Sequence, residues 1–338
     1  MTKLVSIIIT TCNGTFKLIR AVESSLKQSY KNVEVIVVDD NGKDTPKQIE
    51  TEEMLASYIA AGEIKYVVHN INKNGAAARN TGVRNAEGEY LAFLDDDDFF
   101  FPERIQELVL KADEKQVDMV YSDVLFVRGK NMVDIMSAKE KGFSYEDLLT
   151  NQGLLGTGSN IFIKRDIYDA VNGFDETFFR YQDVEFMIRA LKFGKIAGVD
   201  KILVAKDITE VRFYPKYDRF TRAQEMLLEK FAGELDNLEP KKKREAMYTK
   251  RAELYYSACM SGNRADMRDA FKLLESDISD LTNKEILRIK LKGLYLRKIY
   301  PAIGFIRERK QKYKNKKLTM ASSKRFLNDF RGLIDIER

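Results

Sequence analysis

Apolar runs alternate with helically spaced segments through the first two thirds of the chain. Val5-Ser6-Ile7-Ile8-Ile9 is rich in β-branched residues, as is typical of a strand buried on both faces of a parallel sheet. Residues 16–28 place Phe16, Ile19, Val22 and Leu26 on one helix face. The same reasoning predicts strands at residues 33–38, 64–68, 90–94, 119–127, 161–163 and 202–204, and helices at 47–61, 75–85, 103–115 and 184–193. This alternation predicts a doubly wound α/β sheet.

The strand pattern ends near Thr221, and helical spacing continues beyond it. Helices are predicted over residues 223–235, 244–260 and 264–274, the last two joined at Ser261-Gly262-Asn263 as a helical hairpin that resembles one tetratricopeptide-like unit. Residues 132–142 are polar and weakly patterned, and a flexible excursion is predicted there. The chain is therefore divided into a domain over residues 1–220 and a helical region over residues 221–338.

Polar residues follow three of the predicted buried strands. Thr10-Thr11-Cys12-Asn13 ends the first strand, Asp39-Asp40 ends the second, and Asp95 to Asp98 end the strand at 90–94. Ligands of such sheets bind beyond the carboxyl ends of the strands, so these residues are expected in one cleft. Four adjacent carboxylates repel one another, and a cation or a phosphate-bound metal at this edge would relieve the repulsion. A solvated acidic turn is the alternative.

Composition places the chain among ordinary globular proteins. Of its 338 residues, 44% are hydrophobic and 32% are charged. No run approaches the roughly 20 apolar residues that cross a bilayer, and no signal-peptide pattern precedes the first strand. Cys12 and Cys259 lie far apart and indicate no disulfide framework. We expect a cytoplasmic protein, with peripheral contact at the inner face of the membrane as an open alternative.

Positive charge is concentrated near the C-terminal end. Residues 284–317 contain thirteen Lys or Arg and two Glu, a local charge of +11, whereas the whole chain carries +5. Isoleucines and leucines interleave with these cations, a pattern that suits an anionic membrane surface. The alternative is a solvated helix face that packs on the first domain or on a second subunit of a homo-oligomer. No nucleic-acid-binding module accompanies the charge, so no nucleic acid is expected as a partner.

Six motifs resemble the inverting family 2 glycosyltransferases of the GT-A fold. The motifs occur in the family's order over roughly residues 3–215: residues 5–13, 25–30, 35–40, 78–82, 87–98, and the pair Gly173-Phe174-Asp175-Glu176 with Gln182-Asp183-Val184-Glu185. The resemblance implies a Rossmann-like catalytic domain with a mixed, mainly parallel sheet. It also implies a nucleotide-diphosphate sugar as donor and a divalent metal, Mn²⁺ or Mg²⁺, as cofactor.

The family's Asp-x-Asp motif falls on Asp95 and Asp97. By resemblance, Asp97 binds the metal directly, and Asp95 belongs to the same metal site through the ribose or a metal-bound water. Asp96 would face the donor sugar, and Asp98 would support the turn. Hard cations prefer oxygen ligands, which agrees with a carboxylate site for Mn²⁺ or Mg²⁺.

The resemblance also assigns the donor nucleotide. Asp39 or Asp40, with Asp40 favoured, would accept from the uracil ring N–H, and Thr10 and Cys12 would lie beneath the base. Many relatives carry an aromatic residue at the position of Cys12, and a buried structural thiol is the alternative there. Arg79 would face the base or the diphosphate; otherwise it is a surface arginine of its helix.

Asp183 matches the family's catalytic base, although Gln182 stands where relatives usually have Glu. Glu185 is either a substitute base or a charge at the start of a helix. Gly158 and Ser159 would form a wall on the acceptor or donor-sugar side. Arg212 would approach the diphosphate or the acceptor, or would be a plain surface arginine. His69, the only histidine, is interpreted as structural because one histidine cannot build a His-rich metal site.

These motifs together predict an inverting, metal-dependent transferase. The donor would be a UDP-sugar, and the acceptor a hydroxyl of a glycan or lipid-linked saccharide in cell-surface polysaccharide synthesis. Two alternatives remain at this point: a non-catalytic nucleotide-sugar-binding scaffold of an assembly complex, and a nucleotidyltransferase. The latter class usually has a Gly-rich phosphate loop after its first strand, where this chain has Thr10-Thr11-Cys12-Asn13.

Overall fold

The computed structural model describes residues 2–14, 16–129, 131–150, 153, 155–209 and 216–299. These residues form two compact units: the described residues within 2–145 and 155–209 make the first unit, and those within 146–153 and 216–299 make the second. The boundary predicted after residue 220 falls inside a helix of the second unit, Tyr217–Lys230, and stays a prediction.

The first unit is built on one nine-stranded mixed sheet. Its strands are β1 Val5–Thr11, β2 Val33–Asp39, β3 Lys65–Val68, β4 Tyr90–Asp95, β5 Phe99–Phe100, β6 Met119–Arg128, β7 Asn131–Met136, β8 Phe162–Lys164 and β9 Ile196–Asp207. Its helices are α1 Lys17–Leu26, α2 Pro46–Ala60, α3 Gly75–Arg84, α4 Arg104–Lys115, α6 Arg165–Ala170 and α7 Gln182–Ala190, whereas helix α5, Tyr145–Leu149, belongs to the second unit from Glu146 onward.

The strand order is β3-β2-β1-β4-β8-β6-β9-β5, and β7 pairs with β6. β1 is parallel to β2 and β4, and β2 is parallel to β3. β8 is antiparallel to both β4 and β6, so β6 runs in the direction of β4, and β9 is parallel to β6. The carboxyl ends of β1, β2, β4 and β9 therefore lie at one edge of the sheet. The predicted α/β class is confirmed.

Helix α3 is held very close to β1. Its N-cap residue Asn74 accepts a hydrogen bond from the Ala77 backbone N–H at 3.0 Å, which fixes where the helix begins. A Cβ placed on Gly82 would lie 2.3 Å from Cγ2 of Ile8, so only glycine allows this approach. The contact carries Arg79, one turn earlier on α3, toward the edge where β1 and β4 end.

One prediction about strands was wrong, and another strand is longer than predicted. Residues 132–136 of the predicted flexible excursion belong to β7, Asn131–Met136, which pairs antiparallel with β6 after a turn that contains Gly129 at φ +54°. The short strand predicted at 202–204 is the central part of β9, whose twelve residues were divided in the sequence by exposed Asp200 and Lys201. The pairing of β6 with β9 skips these two residues, so the polar pair lies at a bulge.

The second unit is helical over its described residues, as predicted. Its principal helices are α8 Tyr217–Lys230, α9 Ala232–Asp236, α10 Pro240–Ser261, α11 Arg264–Asp277 and α12 Asn283–Leu294, followed by a π-helical turn Tyr295–Ile299. The α10–α11 hairpin turns at Gly262, which has φ +77° and ends α10, and Asn263 then caps α11. A capping box of Thr282 and Glu285 begins α12.

Among the described helices, none combines the length and apolar character needed to cross a bilayer. Of the basic segment 284–317 predicted to meet a membrane or another subunit, residues 300–317 lie outside the described residues.

Candidate active site

Two adjoining clefts open at the carboxyl edge of the sheet. The first has a volume of about 330 Å³ and is lined by Thr10, Thr11, Cys12, Asp40, Gly75, Ala78, Arg79, Asp95, Asp96 and Asp97. The second has a volume of about 210 Å³ and is lined by Arg79, Asp95, Gly156, Thr157, Gly158, Arg180, Tyr181, Gln182, Asp183 and Lys206. Arg79 and Asp95 line both clefts, so these two side chains form the boundary between them.

Arg79 is held in place from two sides. Its Nη2 donates to Oδ1 of Asp95 at 2.6 Å, and its Nη1 donates to Oε1 of Gln182 at 3.0 Å. The guanidinium also lies 5.5 Å from the ring centroid of Phe174. Burial favours a raised pKa for the Asp95 carboxyl, but the charges of Arg79 and Lys206 outweigh it and lower that pKa. Arg79 is buried, so the surface-arginine alternative does not apply.

Three carboxylates at the end of β4 form a compact oxygen cluster. One oxygen from each of Asp95, Asp97 and Asp98 lies within 4.8 Å of the other two. Burial raises the pKa of Asp97 to about 8, and the negative charges of Asp98 and Asp95 contribute to the shift. Burial raises the pKa of Asp98 as well. Closely spaced carboxylate oxygens are the donor set that a hard divalent cation stabilises, so these residues fit Mn²⁺ or Mg²⁺.

Asp98 is the buried anchor of this cluster. Its Oδ2 accepts from the hydroxyls of Ser159 at 2.6 Å and Thr157 at 3.0 Å, and its Oδ1 accepts from the Asp207 backbone N–H at 3.1 Å. Ser159 Oγ also accepts from the backbone N–H of Asp95 at 3.0 Å. Ser159, expected to line a ligand-binding wall, is thus buried beneath the acidic turn, whereas Gly158 does line the second cleft.

Asp96 belongs to the first cleft. Its Oδ2 accepts from the hydroxyl of Thr11 at 2.5 Å, which links the ends of β4 and β1. Burial raises the pKa of Asp96 to about 6, although the Thr11 hydrogen bond opposes the shift. Thr10 and Cys12 line the same cleft. Cys12 is exposed, so the alternative of a buried structural thiol is wrong.

The two aspartates that end β2 have different environments. Asp39 is fully buried, and its carboxylate accepts from the Tyr66 hydroxyl at 2.7 Å and the Asn41 backbone N–H at 2.8 Å. Asp40 lines the first cleft. Its Oδ1 accepts from the Lys73 backbone N–H at 2.8 Å and lies 2.6 Å from Nδ1 of His69. Of the pair, the structure therefore brings Asp40 to the cleft.

His69 links Asp40 to α3. Its Nδ1 faces Asp40, and its Nε2 lies 2.8 Å from Oγ1 of Thr81. The ring is buried between these two partners. Such a contact orients the carboxylate that faces the cleft, which agrees with the structural interpretation of the only histidine.

Asp183 lies in the first turn of α7 and lines the second cleft. Its Oδ1 accepts from the Val184 backbone N–H at 3.0 Å, and the Cβ position of Gly158 lies 3.7 Å from its own Cβ. Glu185, considered as a substitute base, is fully buried and forms a salt bridge with Arg189 at 2.5 Å, away from both clefts. Arg212 lies outside the described residues.

Lys206 is a site residue that the sequence reasoning missed. It lies near the end of β9, where its Nζ donates to Thr157 Oγ1 at 3.1 Å and lies 4.0 Å from Oδ2 of Asp98. Burial opposes its charge, but the nearby carboxylates of Asp98, Asp95 and Asp97 raise the pKa of its amine. Like the other site residues, it is a polar side chain near the end of a strand, but the strand predicted there stopped at residue 204 and was not placed beside the others.

Comparisons with known proteins agree with this geometry. The model of the family described as glycosyl transferase family 2 matches residues 6–171. The amylovoran biosynthesis glycosyltransferase AmsB of Erwinia amylovora is 29% identical over 256 residues, which are 73% of this chain and 81% of that protein. The UDP-Glc:α-D-GlcNAc-diphosphoundecaprenol β-1,3-glucosyltransferase WfgD of Escherichia coli is 26% identical over 197 residues, which are 58% of this chain and 73% of that protein.

Among solved structures, S. aureus TarS residues 1–349 in complex with UDP-GlcNAc superposes with a TM-score of 0.62. The superposition covers 98% of this chain and 90% of that chain at 17% identity, so it bears on the fold alone. The matched family model and the relatives bear on the activity. The sequence motifs, the sheet and these similarities lead to one conclusion: this chain is a glycosyltransferase with the GT-A fold, and its residues 6–171 match the model of glycosyltransferase family 2.

Proposed function

We propose that the protein transfers a sugar, with inversion, from a UDP-sugar to a hydroxyl of a glycan or lipid-linked saccharide. Arg79 and Asp95 line both clefts, and this sharing is the observation that carries the proposal. A donor whose nucleotide occupies the first cleft and whose sugar enters the second would cross this boundary with its diphosphate. Its anomeric carbon would then lie in the cleft that Asp183 lines.

A uracil base is the proposed occupant of the inner part of the first cleft. Asp40 presents its carboxylate there, fixed by His69 and the Lys73 backbone N–H. A carboxylate accepts from the ring N–H that uracil offers, and cytosine lacks that donor. The donor named for WfgD and the ligand of the TarS complex are both UDP-sugars, which supports the same nucleotide here.

Asp97 and Asp95 would hold the divalent cation, and Asp98 would fix the turn that carries them. When bound, Mn²⁺ or Mg²⁺ neutralises the charge that develops on the departing diphosphate. Arg79 supplies a second, permanent positive charge at the same boundary. Thr11 holds Asp96 in the first cleft, on the side of the donor.

Asp183 is proposed to accept the proton of the attacking hydroxyl. Inversion by single displacement requires a carboxylate within hydrogen-bond reach of the acceptor on the face opposite the leaving group. Gly158 places no side chain between Arg79 and Asp183, where an added Cβ would be in van der Waals contact with both, 3.5 Å from Nη2 of Arg79 and 3.7 Å from Cβ of Asp183. The acceptor hydroxyl would enter there, and the second cleft would exclude bulk water around the reacting atoms.

The acceptor and the location of the protein form the last part of the proposal. WfgD acts, by its name, on a diphosphoundecaprenol-linked sugar, and this supports a lipid-linked or growing surface polysaccharide as acceptor. Such acceptors present their sugars at a membrane face, so we propose a cytoplasmic protein with peripheral membrane contact. The basic segment that begins at Lys284 supports that contact through its charge.

Release of UDP from a panel of UDP-sugars and GDP-sugars tests this proposal. The enzyme should release UDP from one or a few UDP-sugars in the presence of Mn²⁺, faster with a saccharide acceptor than without, and chelation should stop the reaction. NMR of the product should show the anomeric configuration opposite to that of the donor. Turnover of GDP-sugars alone, or a product with retained configuration, would refute the proposed donor or mechanism respectively. A nucleotide that binds without any turnover would indicate a scaffold.

A further inference from the structure

A cationic groove lies on the helical second unit. It has a volume of about 530 Å³ and is lined by Tyr255, Arg264, Met267, Arg268, Phe271, Lys272, Lys290 and Arg297. Five of these eight residues carry positive charge, and none of the lining residues, all within the described part of the chain, is acidic. We call this feature the cationic groove.

Each of the two walls of the groove carries positively charged side chains spaced along one side of a helical segment. Arg264, Arg268 and Lys272 follow one another at intervals of four along α11, so they share one face. Like charges at this spacing repel one another and destabilise a helix. Lys290 of α12 and Arg297 of the π-helical turn line the same groove, seven residues apart. The fold therefore maintains a repulsive arrangement at this place.

Other arginines of the same unit are neutralised by carboxylates. Arg244 donates from Nε to Asp280 at 2.7 Å and from Nη2 to Glu285 at 3.1 Å. Arg251 binds Glu225 at 2.7 Å and Asp277 at 2.6 Å. In contrast, among the residues that the structure describes, no salt bridge joins a carboxylate to a cation of the cationic groove. The unit pairs other arginines with carboxylates, so the positive charge of the groove is not compensated by salt bridges among its described residues.

The floor of the groove is aromatic. Tyr255 and Phe271 pack edge to face with their ring centroids 5.4 Å apart, and Nζ of Lys290 lies 4.6 Å from the Phe271 centroid. A Cβ on Gly293 would lie 2.8 Å from both Sγ of Cys259 and Cε1 of Tyr255, so α12 packs closely on α10. This close packing holds the wall formed by α12 against the floor.

We propose that the cationic groove binds an anionic saccharide, a sugar chain that carries phosphate or carboxylate groups. Aromatic rings offer flat apolar surfaces for the C–H faces of sugars, and Arg side chains bind phosphate and carboxylate groups with paired hydrogen bonds. Under the proposed function, on which this part of the inference rests, the ligand is a segment of the acceptor remote from the reacting hydroxyl. The effect on catalysis would then be a lower KM for long anionic acceptors.

An anionic membrane is the competing occupant. Leu287, Leu291 and Leu294 are exposed on α12, and a basic helix with an apolar stripe binds lipid surfaces. These leucines do not line the groove, whose five cations share its lining with two aromatic rings. Aromatic rings among the cations offer the C–H faces of a sugar an apolar contact that a lipid headgroup does not need, which favours a saccharide.

Isothermal titration of the full chain tests the inference directly. The probes are a hyaluronan octasaccharide, mannopentaose phosphate and, as a neutral control, maltoheptaose. We expect both anionic probes to bind and the neutral probe to bind much more weakly. The charge reversal Arg268→Glu/Lys290→Glu should weaken anionic binding by about tenfold or more. Both side chains are exposed, so the fold should tolerate the change.

The matched control is Arg222→Glu/Lys241→Glu. It changes the net charge of the same unit equally at two exposed positions outside the groove, and it should leave binding nearly unchanged. Phe271→Leu keeps the apolar packing but removes the ring. It should lower the affinity for the saccharides without altering the salt dependence of binding. Equal losses in the groove variant and in the control would overturn the inference, as would failure of the wild-type chain to bind either anionic probe.

Binding to lipid vesicles distinguishes a saccharide site from the competing membrane contact. The inference is wrong, and the site is a membrane contact, if three results occur together. The wild type co-sediments with phosphatidylglycerol vesicles, the groove variant does not, and the vesicles compete with the octasaccharide for the wild type. Titration requires no turnover, so its result is independent of the proposed reaction. UDP release in the absence of acceptor should be the same for the wild type and the groove variant. If neither protein releases UDP, that result counts against the proposed function alone.

Discussion

Arg79 Nη2 and Asp95 Oδ1 lie 2.6 Å apart, and this salt bridge joins helix α3 to the end of strand β4. The same guanidinium donates to Gln182 at 3.0 Å, at the start of α7. One side chain thus ties together a carboxylate proposed to hold the metal and the segment proposed to carry the base. Gln182 is neutral, so of these two partners only Asp95 compensates the positive charge of Arg79.

Arg79→Lys should weaken UDP binding in the presence of Mn²⁺ by about tenfold, because a lysine keeps the charge but cannot bind two partners with a planar fork. Isothermal titration with UDP measures the loss, and the KM of the donor should rise in parallel. Arg84→Lys on the same helix is the control, since Arg84 binds Thr81 and lies outside both clefts. Unchanged UDP affinity in Arg79→Lys would remove Arg79 from the proposed donor site.

Asp183→Asn should lower the rate of sugar transfer by about 10²–10⁴-fold, because the amide cannot accept the proton of the acceptor hydroxyl. The amide oxygen can still accept from the Val184 N–H, so α7 should begin as in the wild type. The measurement is kcat with saturating acceptor, together with UDP affinity, which should be nearly unchanged. Near-normal turnover in this variant would mean that another group is the base.

The metal should bind more tightly as the pH rises, and its binding should stabilise the folded protein more strongly. The pKa of Asp97 is raised from its ordinary value of 3.8 to about 8, because burial and neighbouring carboxylates disfavour its charge. Between these pH values the folded protein holds a proton that the unfolded chain has lost, so the free energy of unfolding falls with rising pH. A bound cation favours the carboxylate form and reverses this loss.

The measurement is the shift in Tm on adding Mn²⁺, which should be larger at about pH 8 than at about pH 5. Asp97→Asn serves as the comparison and should show a small shift that varies little with pH. A wild-type shift that decreases with rising pH would contradict the proposed coordination by Asp97.

Much of this site could be predicted from the ends of strands. The polar residues after β1, β2 and β4 lie at one edge because these strands are parallel and adjacent, which the alternation of strand and helix already implied. Lys206 escaped prediction because exposed Asp200 and Lys201 interrupt the apolar run of β9 at a bulge. The position of β9 beside β6 is a tertiary pairing that no local pattern reveals.

Burial decided other details that the sequence left open. Asp39 and Asp40 are equivalent by pattern, but only the contacts of Asp39 with Tyr66 and Asn41 show which carboxylate turns inward. By sequence, Glu185 was a candidate for a second base. In the structure it is buried in the core and forms a salt bridge with Arg189. Strand β7 was missed because an edge strand needs no continuous apolar run, and its pairing with β6 stabilises it instead.

Gly82→Ala should destabilise the first unit by about 1–3 kcal/mol, because the added methyl group would lie 2.3 Å from Ile8 in a packed interface. Chemical denaturation measures the change, and UDP affinity should fall with it because α3 carries Arg79. Gly233→Ala is the matched control: this helical glycine has open space around its Cβ position and should gain up to about 1 kcal/mol. Equal stability of the two variants would show that the α3–β1 contact is not tight.

The most direct measurement is a crystal structure with UDP and Mn²⁺, with the metal located by its anomalous scattering. We expect manganese between the diphosphate and the carboxylates of Asp97 and Asp95, uracil beside Asp40, and Arg79 on the diphosphate. Manganese absent from these carboxylates, or UDP bound at another surface of the protein, would contradict the account.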